Sequence, residues 1–352
     1  MDFEWTSEQL ALREACKKFA EKEIAPGARL RDQKGEKEFD WEAWKKTADF
    51  GLLGFPIPKE YGGSGVGPLE LCIAMEGFGE GADDWGFVCS VGSHMVIGEI
   101  PIWEWGTDQQ KMKYLPKMCS GEWVGAFALT EPDAGSDAAS IRTKAERKGD
   151  YYVLNGSKTF ITNGPIADVI VVFATQDRSK GKKGILALLV EKGFSGVSTT
   201  TLEKMGLKAS PMGEIFFDDC KVPAQNVLGR EGEGFAVAMS TLEWERTGYL
   251  ACPRGACRKT AQRGNSLCEK TNTIREAHSG VPGHSAQTGR HEGVAGDVQV
   301  DVLQGGLEEE EWDTGTPGCI HSKAFFHRDQ PDGGLECLSD PWHLWIYERV
   351  SH

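Results

Sequence analysis

The spacing of apolar residues changes twice along this chain of 352 residues. Up to about residue 120 the apolar residues recur at helical spacing, and Thr6 with Gln9 and Thr107 with Gln110 predict two capping boxes at helix starts. From 121 to about 228, short apolar runs separated by Gly, Lys and Asp indicate strands. Helical spacing returns after Gly232. The order helical, all-β, helical predicts a multidomain α+β chain rather than alternating βαβ units.

The middle segment carries the strand signals. They lie in "YYVLNGSKTFIT", "ADVIVVFAT", "GILALLVEK" and "MGEIFFDDCKVP". Asn155-Gly156, inside the first of these, predicts a hairpin turn. The short spacing favours an antiparallel sandwich or barrel. No G-x-G-x-x-G follows a strand, which disfavours the common dinucleotide fold.

Composition narrows the class of protein. The formal net charge of -14 argues against a nucleic-acid surface, because phosphate binding needs clustered Lys and Arg. No run approaches the ~18 apolar residues of a membrane span. The acidic start "MDFEWTSEQL" resembles neither a secretory signal nor a transit peptide, so we expect a cytoplasmic protein. Ten cysteines without a C-x-x-C pair indicate reduced thiols and predict no metal site.

The segment "FALTEPDAGSD", residues 127–137, holds the most informative polar residues. Gly135 allows a ligand to approach the backbone closely, and the Ser136 hydroxyl with nearby N–H groups can donate to an anionic oxygen. Thr130 adds a donor and acceptor at the end of a strand. From these residues alone, a polar turn closed by local hydrogen bonds is the simpler interpretation.

Five blocks together carry a family resemblance. They are "FALTEPDAGSD", "YYVLNGSKTFITNG", "FPIPKEYGG", "MGLKASPMGEIFFDDCKVPAQNVLG" and "GEGFAVAM", in one order over residues 1 to about 252. The chain resembles the acyl-CoA dehydrogenase family of flavoproteins. The resemblance implies an N-terminal helical domain at 1–120 and a middle antiparallel β-barrel domain at 121–228 for flavin and substrate. A truncated C-terminal helical domain would begin at 229–252.

The resemblance also implies an activity in fatty acid and lipid metabolism. Family members bind FAD and dehydrogenate an acyl-CoA thioester between its α and β carbons. A carboxylate removes the α-proton while the β-hydrogen leaves as hydride to the flavin. An electron-transfer flavoprotein is the implied electron acceptor, and a homo-oligomer, either dimer or tetramer, is the implied assembly.

The cofactor-binding residues implied by the resemblance lie in the first two blocks. They are Phe127, Leu129, Thr130, Gly135, Ser136, Phe160, Ile161 and Thr162. Family members more often have Trp at the position of Phe160, and a flat ring is kept here. Taken without its neighbours, Phe160 would be interpreted as a core aromatic.

A general base is required, and "LEWER" offers a candidate. Glu245 immediately precedes Arg246, as in the branched-chain and long-chain branches of the family. Other branches place the base in a C-terminal segment. On physical grounds alone, Glu243 and Glu245 would be solvated helix charges. The implied substrate-binding residues are Ser136, Phe235, Glu243 and Arg246.

The resemblance ends at Cys252. Residues 253–352 contain seven of the eight histidines and thirteen glycines, with little helical period. The His and Cys spacings form no recognised ligand set, and intrinsic disorder is the simple interpretation. A third hypothesis is a frame-shifted C-terminal domain. Codons for "REAHSGVPG" and "DPWHLWIYER" can be chosen so that one shifted frame encodes "GKPIPEFQ" and "IHGTYGYMKE", two family motifs.

The coding DNA tests the frame-shift hypothesis, which fails if one shifted frame does not encode both motifs. A sequence selected in another frame has an accidental hydrophobic pattern, so we expect residues 253–352 to be a disordered or poorly packed tail. Two alternatives to the dehydrogenase therefore stay open. One is a catalytically inactive remnant, and the other is an oxidase or desaturase of acyl thioesters with the same fold.

Overall fold

The computed structural model describes residues 5–35, 38–270, 272–273 and 276–277, with side chains to residue 263. Its α-helices are α1 (Ser7–Phe19), α2 (Ala28–Lys34), α3 (Trp41–Asp49), α4 (Pro68–Ala82), α5 (Trp85–Gly92), α6 (Ile100–Trp105), α7 (Asp108–Cys119), α8 (Gly234–Trp244) and α9 (Ala251–Lys270). Its strands are β1 (Gly125–Ala128), β2 (Lys144–Lys148), β3 (Tyr151–Thr162), β4 (Val169–Thr175), β5 (Ile185–Glu191), β6 (Val197–Thr201), β7 (Met212–Pro223), β8 (Val227–Leu228), β9 (Asn272–Thr273) and β10 (Glu276–Ala277).

The helix starts follow the capping signals of the sequence. The Thr6 side chain accepts a hydrogen bond from the Gln9 N–H (3.2 Å), and Gln9 accepts one from the Thr6 N–H (3.0 Å). Thr107 and Gln110 form a second reciprocal box at α7. Both predicted capping boxes are confirmed. Within the described part of the chain, no helix combines the length and apolar character needed to cross a bilayer.

The main sheet has eight strands and is open. Its order is β6-β7-β3-β2-β4-β5-β8, and β1 pairs with β4 in parallel. The predicted antiparallel barrel is therefore wrong. A barrel closes only if its two edge strands pair, and among the described residues β6 and β8 do not. The sheet is also mixed, because β2 and β4 run parallel and share a single residue pair, Lys144 and Thr175.

The predicted hairpin at Asn155-Gly156 is also wrong, because β3 runs through these residues without a turn. The pairing with β7 shifts between Leu154 and Gly156, and Asn155 bonds to Asp219 across the irregularity (3.0 and 2.9 Å). Gly156 has φ +145°, and a Cβ there would lie 2.8 Å from the Thr143 Cα. Glycine is needed here because β3 approaches the residue before β2 closely. The Asn-Gly dipeptide alone does not distinguish such an approach from a turn.

The N-terminal helices and the sheet share a hydrophobic core. One cluster joins Tyr114 and Met118 of α7 to Phe127 of β1, Phe173 of β4 and Val237 of α8. A buried polar contact crosses the same boundary, where His94 Nδ1 accepts a hydrogen bond from the Gly125 N–H at 2.9 Å. The start of β1 is therefore fixed by the helical segment.

The backbone stays helical past Cys252. A π-helical segment, Glu245–Tyr249, follows α8, and α9 then packs along α4. Buried Arg254 forms an ion pair with Glu76, and Lys259 and Arg263 pair with Asp83 at 3.0 and 2.8 Å. Residues 253–270 of the predicted tail are therefore helical in the structure. Apart from two short strands, the rest of the predicted tail lies outside the described residues, as does most of the sequence on which the frame-shift hypothesis depends.

Candidate functional site

The end of β1 lies at the boundary between core and solvent. Phe127 and Leu129 are largely buried, and the Phe127 ring contacts the Phe173 ring with centroids 4.7 Å apart. Thr130 is half-buried, and its carbonyl accepts a hydrogen bond from the Thr159 N–H at 3.0 Å. Residues 127–129 thus anchor the segment, and Thr130 begins its accessible part.

A tight turn exposes the next two predicted residues. Glu131 and Ala134 exchange backbone hydrogen bonds of 3.0 and 3.1 Å, after which Gly135 and Ser136 are exposed. A Cβ at Gly135 would meet no atom within 4 Å. The packing of the described residues therefore does not require glycine here, and the open space leaves room for a ligand to approach the backbone.

The end of β3 has an unusual backbone. Phe160 is half-buried and has φ +59°, a conformation that bulky residues rarely adopt. The pairing of β3 with β7 shifts here, between Lys158 and Ile161. Ile161 itself is buried in the core of the sheet. Strained residues of this kind cluster at binding sites, where the surrounding structure maintains them.

Two buried polar atoms follow Phe160. Thr162 Oγ1 and Asn163 Oδ1 have no hydrogen-bond partner among the described residues, although Thr162 is 5% exposed and Asn163 is fully buried. The Asn163 backbone is fixed, since its N–H donates to the Pro211 carbonyl at 2.7 Å. Buried polar atoms without partners are uncommon, and a bound group is one way to satisfy them. Asn163 was not predicted as a site residue, although it directly follows the "FIT" block.

The first turn of α8 places Phe235 near the start of β5. A Cβ at Gly234 would lie 2.4 Å from the Leu186 carbonyl carbon, so the helix contacts β5 directly. Phe235 is half-buried, and the Lys182 ammonium lies 4.7 Å from its ring centroid. Further along, Glu243 and Glu245 are half-buried and Arg246 is exposed.

Helix α5 contacts both the π-helical segment Glu245–Tyr249 and the end of β3. The Ser90 carbonyl accepts a hydrogen bond from Asn163 Nδ2 at 2.9 Å. Two residues on, Gly92 leaves room for Tyr249, because a Cβ there would lie 2.2 Å from the Tyr249 ring. Burial raises the pKa of the Tyr249 phenol, and nearby groups that include Glu245 add to this rise. The β3 residues and the π-helical segment that begins at the predicted base therefore both contact α5.

A buried ion pair lies beneath these segments and was not predicted. Lys158 Nζ lies 2.8 Å from Glu131 Oε1, with both side chains at or below 5% exposure. The only sequence signal was a lysine within an apolar strand and a glutamate within the "FALTEPDAGSD" block. Neither residue type is a natural candidate for burial, so the pair became visible only in the structure.

An open cleft of about 420 Å³ lies beside the exposed Ser136 segment. Asp137, Ser140, Arg178 and Ser179 contribute its polar lining. Arg178 brings a positive charge, and the two serines bring hydroxyl groups. The Ser140 hydroxyl donates to the Asp137 carbonyl at 2.9 Å, and the Ser179 hydroxyl donates to Asp177 Oδ1 at 2.7 Å. Arg178 therefore offers charge and donors to an anionic group, and the Asp137 carboxylate opposes that charge.

Two family models match the chain. Residues 6–122 match the acyl-CoA dehydrogenase N-terminal domain, and residues 126–220 match the acyl-CoA dehydrogenase middle domain. The short-chain-specific acyl-CoA dehydrogenase of Clostridium acetobutylicum is 44% identical over 252 residues. The match covers 71% of this chain and 65% of that relative, slightly less than two thirds of its length.

Solved structures share the fold. Butyryl-CoA dehydrogenase from Megasphaera elsdenii is 33% identical with a TM-score of 0.82, over 88% of this chain and 82% of that one. The prolyl acyl carrier protein oxidase AnaB is 32% identical with a TM-score of 0.84, over 88% and 81%. The FAD complex of PigA is 29% identical with a TM-score of 0.85, over the same shares. By its matched domains, its relatives and its fold, the chain belongs to the acyl-CoA dehydrogenase family.

Proposed function

We propose that the chain is an FAD-dependent acyl-CoA dehydrogenase that removes hydrogen from the α and β carbons of an acyl-CoA thioester. The observation that carries the proposal is the buried Thr162 hydroxyl without a partner among the described residues, next to strained Phe160. Family membership and the FAD complex of the similar PigA support it.

The residues present fit the flavin. Thr162 Oγ1 and Asn163 Oδ1 are buried polar atoms that a ring with donors and acceptors would satisfy. Phe160 would pack against the ring, and Thr130 would bond to its edge. Gly135 and Ser136 present an open backbone and a hydroxyl to a pyrophosphate. When bound, the flavin supplies the acceptor for the hydride.

The proton step falls to Glu245. Its carboxylate would remove the α-proton, which the adjacent thioester carbonyl makes acidic. The residue lies at the junction of α8 and the π-helical segment, where the side chain is half-buried. π-Helical segments often occur at functional sites. Phe235 and Glu243 of α8 and Arg246 of the π-helical segment would line the path of the thioester.

The cleft beside Ser136 would take the nucleotide end of the CoA. That end carries phosphate groups, and the Arg178 guanidinium offers charge and hydrogen bonds to them. The acyl end would extend from the cleft toward α8, because the segment that carries Arg178 also places the Lys182 ammonium 4.7 Å from the ring centroid of Phe235. Electron-transfer flavoprotein as electron acceptor, a homo-oligomeric assembly and a cytoplasmic location are part of the same proposal.

A flavin spectrum tests the proposal. We expect the purified chain to show visible flavin absorbance, and anaerobic addition of butyryl-CoA or isovaleryl-CoA to bleach it. The bleached spectrum should persist in air and recover when an electron-transfer flavoprotein is added. A protein that takes up no FAD even after reconstitution would instead be the inactive remnant.

An acyl-thioester oxidase is the second candidate. The similarity to AnaB, an oxidase of a prolyl acyl carrier protein, favours it. The same titration separates the two functions. Rapid recovery of absorbance in air, together with stoichiometric hydrogen peroxide, would identify an oxidase.

A further inference from the structure

Lys158 is the most deeply buried lysine of the sheet, and both of its partners lie near the end of β1. Its Nζ donates hydrogen bonds to the Leu129 carbonyl (3.0 Å) and to Glu131 Oε1 (2.8 Å), and its side chain is fully buried. Burial lowers the pKa of Lys158 to about 8, against the opposing effect of the Glu131 charge. A lysine is rarely buried without a specific partner.

Glu131 extends the contact to a third strand. Its carboxylate also accepts hydrogen bonds from the Thr143 N–H (2.9 Å) and the Arg142 N–H (2.5 Å), just before β2. Burial alone would raise the pKa of Glu131, but the Lys158 charge and these hydrogen bonds outweigh it and lower the pKa. One ion pair therefore connects the end of β1, the start of β2 and the middle of β3.

The pair lies where β3 changes its neighbour. Lys158 is opposite Ile215 of β7, and Ile161 is opposite Gly213, so β3 has one extra residue between these positions. This is the geometry of a β-bulge, which redirects side chains. The Thr159 N–H bonds to the Thr130 carbonyl (3.0 Å), and Phe160 then takes its positive φ.

We propose that Lys158 and Glu131 are a positioning pair that holds this bulge and thereby aims Phe160 and Thr162 at the bound flavin. Neither residue contacts the flavin in this proposal. They hold the β3 bulge against the end of β1, so that these two segments, which are far apart in sequence, contact the same flavin. The inference depends on the proposed FAD binding.

The test measures the dissociation constant for FAD alongside the melting temperature. Lys158→Met leaves the Glu131 charge buried without its partner, so the melting temperature falls. The double variant Lys158→Met/Glu131→Gln removes both charges and keeps an acceptor for the Arg142 and Thr143 N–H groups, so the melting temperature recovers. We expect FAD binding to stay weaker by about tenfold or more in the double variant, as happens when support behind a preorganised site is lost.

Arg13→Met is the matched control. Arg13 is largely buried between α1 and α4, where it contacts Glu76 and Glu80, far along the chain from the bulge. It should lower the melting temperature without changing the FAD dissociation constant or the circular dichroism of the bound flavin. If the double variant binds FAD as tightly as the parent, or if Arg13→Met weakens binding equally, the positioning role is overturned. A parent chain that binds no FAD would overturn the proposed function, and this inference with it.

Discussion

At the scale of single residues, Glu245 carries the main chemical prediction. Glu245→Gln keeps the shape of the side chain but removes the proton acceptor, so we expect flavin bleaching by acyl-CoA to slow by about 100-fold or more. FAD content should be unchanged. Stopped-flow absorbance under anaerobic conditions measures the rate.

Glu42→Gln provides the control for this experiment. Glu42 is an exposed carboxylate on α3, and its loss should leave the bleaching rate as it was. An unchanged rate in Glu245→Gln would show that the base lies elsewhere in the chain.

The sequence motifs locate the accessible residues of the candidate site more readily than the buried ones. Gly135 and Ser136 belong to a recognisable block, and the structure exposes both. Lys158 and Glu131 are charged residues, and a local sequence pattern does not reveal that they form an ion pair in the protein interior. Their pairing depends on a contact across 27 residues of chain, which emerges only when the strands are assembled.

At the scale of elements, the contact between α6 and α8 should depend on pH. Glu104 of α6 accepts a hydrogen bond from Trp244 Nε1 of α8 at 2.7 Å. Burial raises the pKa of Glu104 above its usual 4.5, and the nearby Glu243 charge adds to the rise. As the pH rises above 4.5, the Glu104 carboxyl loses its proton in the unfolded chain at a lower pH than in the folded chain. The free energy of unfolding therefore falls as the pH rises.

Glu104→Gln removes the cost of burying a charged carboxylate and keeps an acceptor for the Trp244 N–H. We expect the variant to have a higher melting temperature than the parent at about pH 8 and little difference at about pH 4, where the carboxyl is protonated in both states. Thermal unfolding at both pH values measures the effect. An equal shift at the two values, or a loss of stability at the higher one, would contradict the assignment.

Element boundaries were predictable where the signal was local. The Thr6 and Thr107 capping boxes mark helix starts because their hydrogen bonds span only three residues. The hairpin predicted at Asn155-Gly156 was wrong because the role of this glycine depends on a contact that is not local. Gly156 is needed because Thr143, a residue of another segment, lies too close for a side chain at this position. The sequence around Gly156 gives no sign of that contact. The open sheet was missed likewise, since edge pairing is a property of all the strands together.

At the scale of the whole molecule, the shared core predicts cooperative unfolding. Met118 of α7 belongs to the cluster that also contains Phe127 and Phe173 of the sheet. We expect calorimetry of the chain to show one transition for the helical segment and the sheet. Met118→Ala should lower the free energy of unfolding by about 2–5 kcal/mol and move that transition without splitting it.

Leu10→Ala gives the comparison for a leucine that is 52% exposed on α1, and it should change the transition little. Far-UV circular dichroism should follow the calorimetric peak in both variants. Two peaks, or separate melting of helix and strand signals, would mean that the segments unfold independently.

The contact between Gly98 and Gly125 has a consequence for chimaeras within the family. A Cβ on Gly98 would lie 3.2 Å from the Gly125 Cα, at the point where the two family models adjoin. If the N-terminal or the middle region is exchanged for that of a homologue, the new region must keep its glycine of this contact and a complementary surface around it. Gene fusion at residues 122–126 should therefore succeed only between parents that match on both sides.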